Sequence, residues 1–269
     1  MSFSGGKDST VLLHLVRSIY PTVPAVFVDT GLEYPEIKQF VGTLKNVTTI
    51  RPKKSFKQVL DEFGYPVVSK KVARQIHDLQ NPNKKNTATR HLYLTGIKRD
   101  GSSTKTFKLP QKWRKLIDAP FKISGKCCDI MKKYPIHTYE KETGRKGFVG
   151  TMASDSHQRE ISYLQTGCNN FKRNVGMPIA FWTEEDVWQY LRSNKIPYCP
   201  IYDTGIRRTG CMFCMFGVHL EKKPNRFEQM KETHPKLYHY CMKTLGLSDV
   251  LDYIGVEYGN QRKSCGIIK

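Results

Sequence analysis

Apolar positions along the chain fall in short blocks between polar turns, and the blocks switch between a strand period and a helical one. Met1 to Phe3 forms a short apolar stub. An amphipathic helical pattern follows from Ser9 to about Ile19, stopped by Pro21. The run Pro24-Ala25-Val26-Phe27-Val28 is apolar without alternation, which predicts a strand covered on both faces. Pro35 suits the first turn of a helix extending to about Leu44; Val47 to Ile50 reads as a third strand, and Ser55 to Phe63 and Ser69 to Leu79 as two more helices. Strands alternating with helices predict an α/β fold, a doubly wound parallel sheet whose ligands bind beyond the carboxyl ends of its strands.

Residues 81–125 show no clear period, and Gly101-Ser102-Ser103-Thr104 predicts a hairpin or a mobile tip, suited to a lid or a nucleic-acid arm. Gly147 to Met152 reads as a short strand leading into the polar run Ser154 to Arg159. Thr183 caps a helix with Glu184, Glu185 and Asp186 in its first turn and Val187, Trp188 and Leu191 on its apolar face, a segment expected to be structural. The expected organisation is a nucleotide-binding α/β domain over 1–185 with a basic insertion at about 81–125. A mainly helical, cysteine-containing region over 186–269 follows.

The 269 residues suffice to bury a core without disulfides. No apolar run reaches membrane-spanning length and no signal pattern opens the chain, so a soluble, cytoplasmic protein with no membrane partner is expected. In such a reducing compartment eight cysteines point to metal ligands or reactive thiols. Lys plus Arg number 44 against 24 Asp plus Glu, a net charge of +20, which implies a polyanionic partner. The excess is concentrated: Asn81 to Lys115 holds Lys84, Lys85, Arg90, Lys98, Arg99, Lys105, Lys108, Lys112, Arg114 and Lys115 against Asp100 alone. With Tyr93, Phe107 and Trp113 interleaved, the segment suits a DNA or RNA surface; a solvated lysine-rich loop is the equal alternative.

Candidate chemistry begins at Ser4-Gly5-Gly6-Lys7-Asp8-Ser9, which runs straight into the first helix. Adjacent glycines let backbone N–H groups converge on an anion, the helix dipole adds positive potential, and Lys7 adds a full charge. The Walker spacing Gly-x-x-x-x-Gly-Lys-Ser is absent. Only Met1 to Phe3 precede the loop, so either the central strand is shortened or the true start lies upstream. Asp29-Thr30-Gly31 ends the second strand, where Asp29 can accept from a ribose hydroxyl, help hold magnesium, or merely cap a turn. Gly150 in the later strand, and Ser156 and Arg159 after it, point at the same crevice.

Cys127-Cys128 and Cys211-x-x-Cys214 together supply four sulfurs, for a four-iron cluster or for zinc. Adjacent thiols diverge, which suits a cubane cluster better than one zinc ion. Zinc on Cys211 and Cys214 with His219, His234, His239 or Cys241 is the competing set. Cys265 lies between lysines and before Gly266, where cations favour thiolate and a tail can carry a nucleophile. Cys168 and Cys199 lack partners at metal spacing and are expected to pack.

The loop resembles the PP-loop of the ATP pyrophosphatase superfamily. Through Ser4 to Ser9, Val26 to Glu33, Cys127-Cys128 with Lys132 and Pro135, Gly150 to Arg159, and Pro178 to Cys214, the chain is identified as a member of the phosphoadenylyl-sulfate (PAPS) reductase family. That resemblance implies an adenine nucleotide alpha-hydrolase-like fold and a 4Fe-4S cluster on Cys127, Cys128, Cys211 and Cys214. It also implies a Cys265-Gly266 nucleophile toward adenylyl sulfate or PAPS, released by a thioredoxin-like reductant. Four positions depart from the reductases. Lys7 is retained as in ATP-cleaving relatives, Ser264 and Ile268 stand where reductases carry Glu and His, and Met152 replaces an arginine. Two reactions follow. The favoured one is ATP-dependent and magnesium-assisted: it adenylates a nucleic acid or nucleotide, releases pyrophosphate and delivers sulfur, with Lys7 catalytic and a cysteine desulfurase as possible donor. The alternative is a sulfonucleotide reductase forming sulfite with Cys265 as nucleophile. A non-catalytic nucleic-acid-binding protein is the third reading.

Overall fold

The computed structural model describes residues 1–259; Ser264, Cys265, Gly266 and Ile268 lie outside the described residues. In chain order the first elements are β1 (Ser2–Phe3), α1 (Lys7–Ile19), β2 (Ala25–Val28), α2 (Pro35–Gly42) and β3 (Val47–Ile50). Next come α3 (Phe56–Phe63), β4 (Val67–Val68), α4 (Lys70–Gln80) and α5 (Thr87–Thr95), then α6 (Tyr134–Thr143), α7 (His157–Thr166), β5 (Asn169–Asn170), β6 (Val175–Gly176) and α8 (Glu184–Ser193). The last are β7 (Met215–Phe216), α9 (Arg226–Thr233), α10 (Pro235–His239) and α11 (Leu247–Ile254). Two compact units share these elements: Met1–Ser55 with Asp129–Met212, and Phe56–Cys128 with the residues from Phe213 onward.

In the first unit β1, β2 and β3 form a parallel sheet in that order, with Phe3 opposite Phe27 and Val28 opposite Ile50. The other edge of β1 is also paired. The Ser2 N–H donates to the Phe148 carbonyl at 2.9 Å, and the Val149 N–H donates to the Gly176 carbonyl at 2.9 Å. Chain therefore leaves β1 toward neighbours on both sides, the switch-point arrangement of a doubly wound sheet, and its short length is compensated by pairing on both edges. Gly147 to Met152, expected as a strand, contributes a single parallel bridge, Phe148 to Gly176. Helix α1 buries Val11, Leu12, Leu13 and Val16, and it packs against α8, whose Val187 and Leu191 are also buried.

The second unit has its own core, including Val59, Ile76, Leu116, Ile123, Phe227 and Leu251. Strands β4 and β7 pair in parallel, Val67 opposite Met215. The 81–125 segment, in which no clear period was legible, contains α5 and a 3-10 helix at Gln111–Asp118; the tip is a hairpin closed by an antiparallel Ile97–Ser103 bridge. Its helix escaped the periodicity because only Tyr93 of α5 is buried, so no apolar stripe marks it. Glutamines of α4 organise the rest. Gln75 donates to the Phe107 carbonyl at 2.6 Å, and Gln80 donates to the Phe121 carbonyl at 3.1 Å while accepting from the Ile123 N–H at 3.0 Å.

Candidate functional site

The loop sits at the carboxyl end of β1 and starts α1 at Lys7. Gly5 adopts φ +73°, and a Cβ there would stand 2.8 Å from Ile37 Cγ2 and 2.9 Å from Val41 Cγ2, so the turn needs glycine on both counts. At Gly6 a Cβ would meet Thr209 Oγ1 at 2.8 Å and the Tyr202 hydroxyl at 3.1 Å. Internal hydroxyls fix the turn. Ser9 Oγ donates to the Gly6 carbonyl at 2.9 Å and lies 3.0 Å from Ser4 Oγ, while the Ser4 N–H donates to Ser9 Oγ at 3.2 Å.

Lys7 is buried, with Nζ 3.2 Å from Glu184 Oε1 and 3.5 Å from Asp8 Oδ1. Burial works against its charge, but Asp8, Tyr202 and Glu184 outweigh that and raise its pKa above the ordinary lysine value. Asp8 shifts upward through burial, which Lys7 opposes and the carboxylates of Asp155 and Glu184 reinforce. Its Oδ1 is buried with no hydrogen-bond partner among the described residues. The Lys7 N–H, first amide of α1, donates to the Tyr202 hydroxyl at 2.9 Å, and that hydroxyl lies 3.0 Å from Thr209 Oγ1. An oxygen thus already occupies the helix terminus where a phosphate oxygen would bind.

Around the loop, Gly150 lies where a Cβ would stand 3.3 Å from the Asp8 carbonyl, so the loop and the 147–152 segment approach backbone to backbone. Ser156 caps α7 by accepting from the Arg159 N–H. Arg159 pairs with Asp155, to which Arg208 also extends at 3.6 Å. Asp29 accepts from the Gly31 N–H at 3.2 Å and from Lys38 Nζ at 2.6 Å, and pairs with Arg51 at 3.3 Å. Burial pushes its pKa up, but the Lys38 hydrogen bond, the Gly31 N–H and the two cations outweigh that and hold it below the usual carboxylate range. Buried Thr30 donates through its N–H and its hydroxyl to the Glu33 carboxylate.

Glu184 corrects one expectation: its helix turn is more than structural, since the carboxylate meets Lys7. Acids in a first turn complement the helix dipole, and that ordinary role masked this one. Tyr202, Thr209 and Arg208 were likewise given no role from sequence, because hydroxyls and cations distant along the chain carry no local signal.

Cys127 is buried, and Cys128, Cys211 and Cys214 are half-buried. Among the described residues no three His, Cys, Asp or Glu side chains are gathered closely enough to hold a metal ion. Cys241 is fully buried and burial pushes its thiol up to about 12, as for a packed core thiol. Cys199 is buried, as expected of a packing residue.

The basic residues divide by environment. Arg90 and Arg114 are half-buried with Nε atoms turned inward, and Arg114 donates to the Leu94 carbonyl. Lys112 lies over the Trp113 ring, and Lys115 donates to the Tyr253 carbonyl at 2.7 Å. Lys84, Lys85, Lys98 and Arg99 are exposed and line one cleft. Tyr93 and Trp113 are core residues, which removes two of the three aromatics expected to stack on bases; Phe107 remains exposed. Among the described residues no helix is long and apolar enough to cross a membrane.

Known proteins resemble this chain over most of its length. An uncharacterized protein of Methanocaldococcus jannaschii is 25% identical over 91% of this chain and 46% of its own length; a second from that organism is matched over 39% of its length, so the chain spans less than half of these relatives. The adenosine 5'-phosphosulfate reductase of Staphylococcus epidermidis is 23% identical over 79% of this chain and 68% of the relative. The crystal structure of the PAPS reductase from Candida auris, a phosphate complex, aligns at a TM-score of 0.44 with 15% identity, covering 78% of this chain and 79% of that one. A U34-tRNA thiolase from Methanococcus maripaludis, solved with its [4Fe-4S] cluster, aligns at 0.37 with 15% identity, covering 100% and 80%. The phosphoadenosine phosphosulfate reductase domain model matches residues 1–115 and 100–216, well over half of the sequence, and the chain therefore belongs to the PAPS reductase family of the PP-loop superfamily.

Proposed function

We propose that the Ser4 to Ser9 loop binds the phosphates of magnesium ATP and that the protein cleaves it between the α and β phosphates, adenylating an acceptor that sulfur then attacks with loss of AMP. The observation that carries this reading is Lys7, a buried ammonium held against Asp8 and Glu184 at the first turn of α1. On this reading its charge would meet the leaving pyrophosphate, and a fixed, desolvated cation stabilises such developing charge more than one in water. Asp8 Oδ1, buried and without a hydrogen bond, suits a ligand to the magnesium that ATP brings. Tyr202 and Thr209 would yield the first helical amide to a phosphate oxygen. Gly150, Ser156 and Arg159 flank the loop, and Asp29, Thr30 and Gly31 are the residues proposed for the ribose side.

Family membership supports a second reading, a sulfonucleotide reductase in which Cys265 attacks the sulfur of adenylyl sulfate or PAPS and a thioredoxin-like thiol releases sulfite. One experiment separates them. Anaerobically purified protein is incubated with ATP and magnesium, and in parallel with adenylyl sulfate or PAPS and thioredoxin. ATP-dependent pyrophosphate is expected, and Lys7→Ala is expected to lower its rate by about 10²–10³-fold. Sulfite without pyrophosphate overturns the proposal in favour of the reductase. Iron content of the same preparation tests the Cys127, Cys128, Cys211 and Cys214 set independently of turnover.

A further inference from the structure

We infer that the cleft lined by Lys84, Lys85, Lys98 and Arg99 is a binding site for the phosphodiester backbone of a nucleic acid. The inference deepens the proposed function by naming the class of macromolecule that the second unit holds. The cleft has a volume of about 410 Å³, no carboxylate lines it, and His91 and Ile97 complete its walls. Among the described residues none of its four cations forms an ion pair. Asp100, next along the chain, lies near enough to Lys98 for the charges to interact, but its Oδ1 accepts from the Ser102 N–H and hydroxyl and it is not among the lining residues.

Both walls are built. On one side Asn83 Oδ1 accepts from the Lys85 N–H at 2.9 Å and the Asn86 N–H at 3.1 Å, and Asn86 Oδ1 accepts from the Asn83 N–H at 3.0 Å. Asn86 Nδ2 ties this turn to the Asn81 carbonyl at 2.9 Å. On the other side the Lys98 N–H donates to the Ser102 carbonyl at 2.9 Å and the Thr104 N–H to the Gly96 carbonyl at 2.7 Å, fixing the hairpin that carries Lys98 and Arg99. The lysine pair and the Lys98-Arg99 pair are therefore presented by hydrogen-bonded turns, where unpaired like charges raise each other's energy and an incoming polyanion relieves it. With no Phe, Tyr or Trp in the cleft, recognition is mainly electrostatic and directed at phosphates.

The test is fluorescence anisotropy of a labelled oligonucleotide, titrated with the full chain without ATP at several salt concentrations. Failure of the ATP chemistry leaves this measurement standing, and the reverse also holds. Four phosphate contacts predict an affinity that falls about a hundredfold between 50 and 200 mM salt on a duplex, with a log–log slope of roughly −3 to −4. The quadruple change of Lys84, Lys85, Lys98 and Arg99 to alanine is expected to flatten that slope by about three. A control exchanging the exposed Lys45, Lys141, Lys172 and Lys222 for alanine removes as much charge and is expected to keep it. Should the quadruple variant fold poorly by circular dichroism, each single exchange is expected to flatten the slope by about one. Equal loss in both quadruple variants would mean diffuse charge and no site. An unchanged slope in the cleft variants, or release of the probe by millimolar inorganic phosphate, would equally overturn the inference.

Discussion

The phosphate loop and the basic cleft are both rich in cations, but they manage the charge in opposite ways. Lys7 is buried and held by Asp8 and Glu184; Arg159 and Arg208 meet Asp155; Lys38 and Arg51 meet Asp29. Lys84, Lys85, Lys98 and Arg99 face solvent in a cleft that no carboxylate lines. Of these cations Lys7 is the buried one, and burying a charge without compensation costs several kcal/mol. Exposed cations need none, and salt screens them freely. On the proposed reading, the difference would separate a site for one anion from a surface for a repeating one.

Three predictions press on that contrast, beginning with the largest. If the loop works through shape, Gly5→Ala is expected to abolish nucleotide binding. It should also destabilise the protein by about 1–3 kcal/mol through crowding of Ile37 and Val41, with a further penalty from the left-handed backbone. Calorimetric titration with ATP and thermal unfolding measure both; retained binding would show that the loop tolerates a side chain. Oligonucleotide binding is expected to survive the change wherever the variant is folded.

A smaller effect concerns the ion pairs of Asp29. Its folded-state pKa lies below the ordinary carboxylate value, so the stability it contributes is present above about pH 4 and is lost as pH falls through the folded value. Asp29→Asn is expected to be less stable than the parent at pH 7, with a gap that narrows on acidification toward pH 3. A gap in unfolding midpoint that does not change with pH would mean the pairing acts through packing alone. The smallest effect belongs to Thr183, which closes a capping box with Asp186 at the start of α8 and so helps orient Glu184. Thr183→Ala is expected to cost about 1 kcal/mol, read as a drop of about 2–4 °C in unfolding midpoint, with a modest loss in pyrophosphate formation.

Much of the first unit was legible in advance because its signals are local. Helix α1 starts two residues before the expected Ser9, and β2, β3 and α2 lie within about two residues of their predicted bounds. Ser4 to Ser9 stood out because adjacent glycines before a helix constrain the backbone over a few residues. The 81–125 segment was misread where order comes from distant partners: α5 has no apolar stripe, and the Gln75 and Gln80 side chains of α4 hold the following residues. Tyr93 and Trp113 looked like stacking aromatics beside lysines, a pattern that a buried ring and an exposed ring share in sequence.

By itself the sequence determined the α/β class, the position of the phosphate loop, the family, and the concentration of positive charge in one segment, since each is written in contiguous residues. Tertiary structure alone decided that β1 is paired on both edges, that Glu184 and Tyr202 meet Lys7, and that four of the basic residues share a cleft while Arg90 and Arg114 turn inward. Those outcomes depend on which side chains burial brings together across long stretches of chain, and neither periodicity nor spacing encodes them.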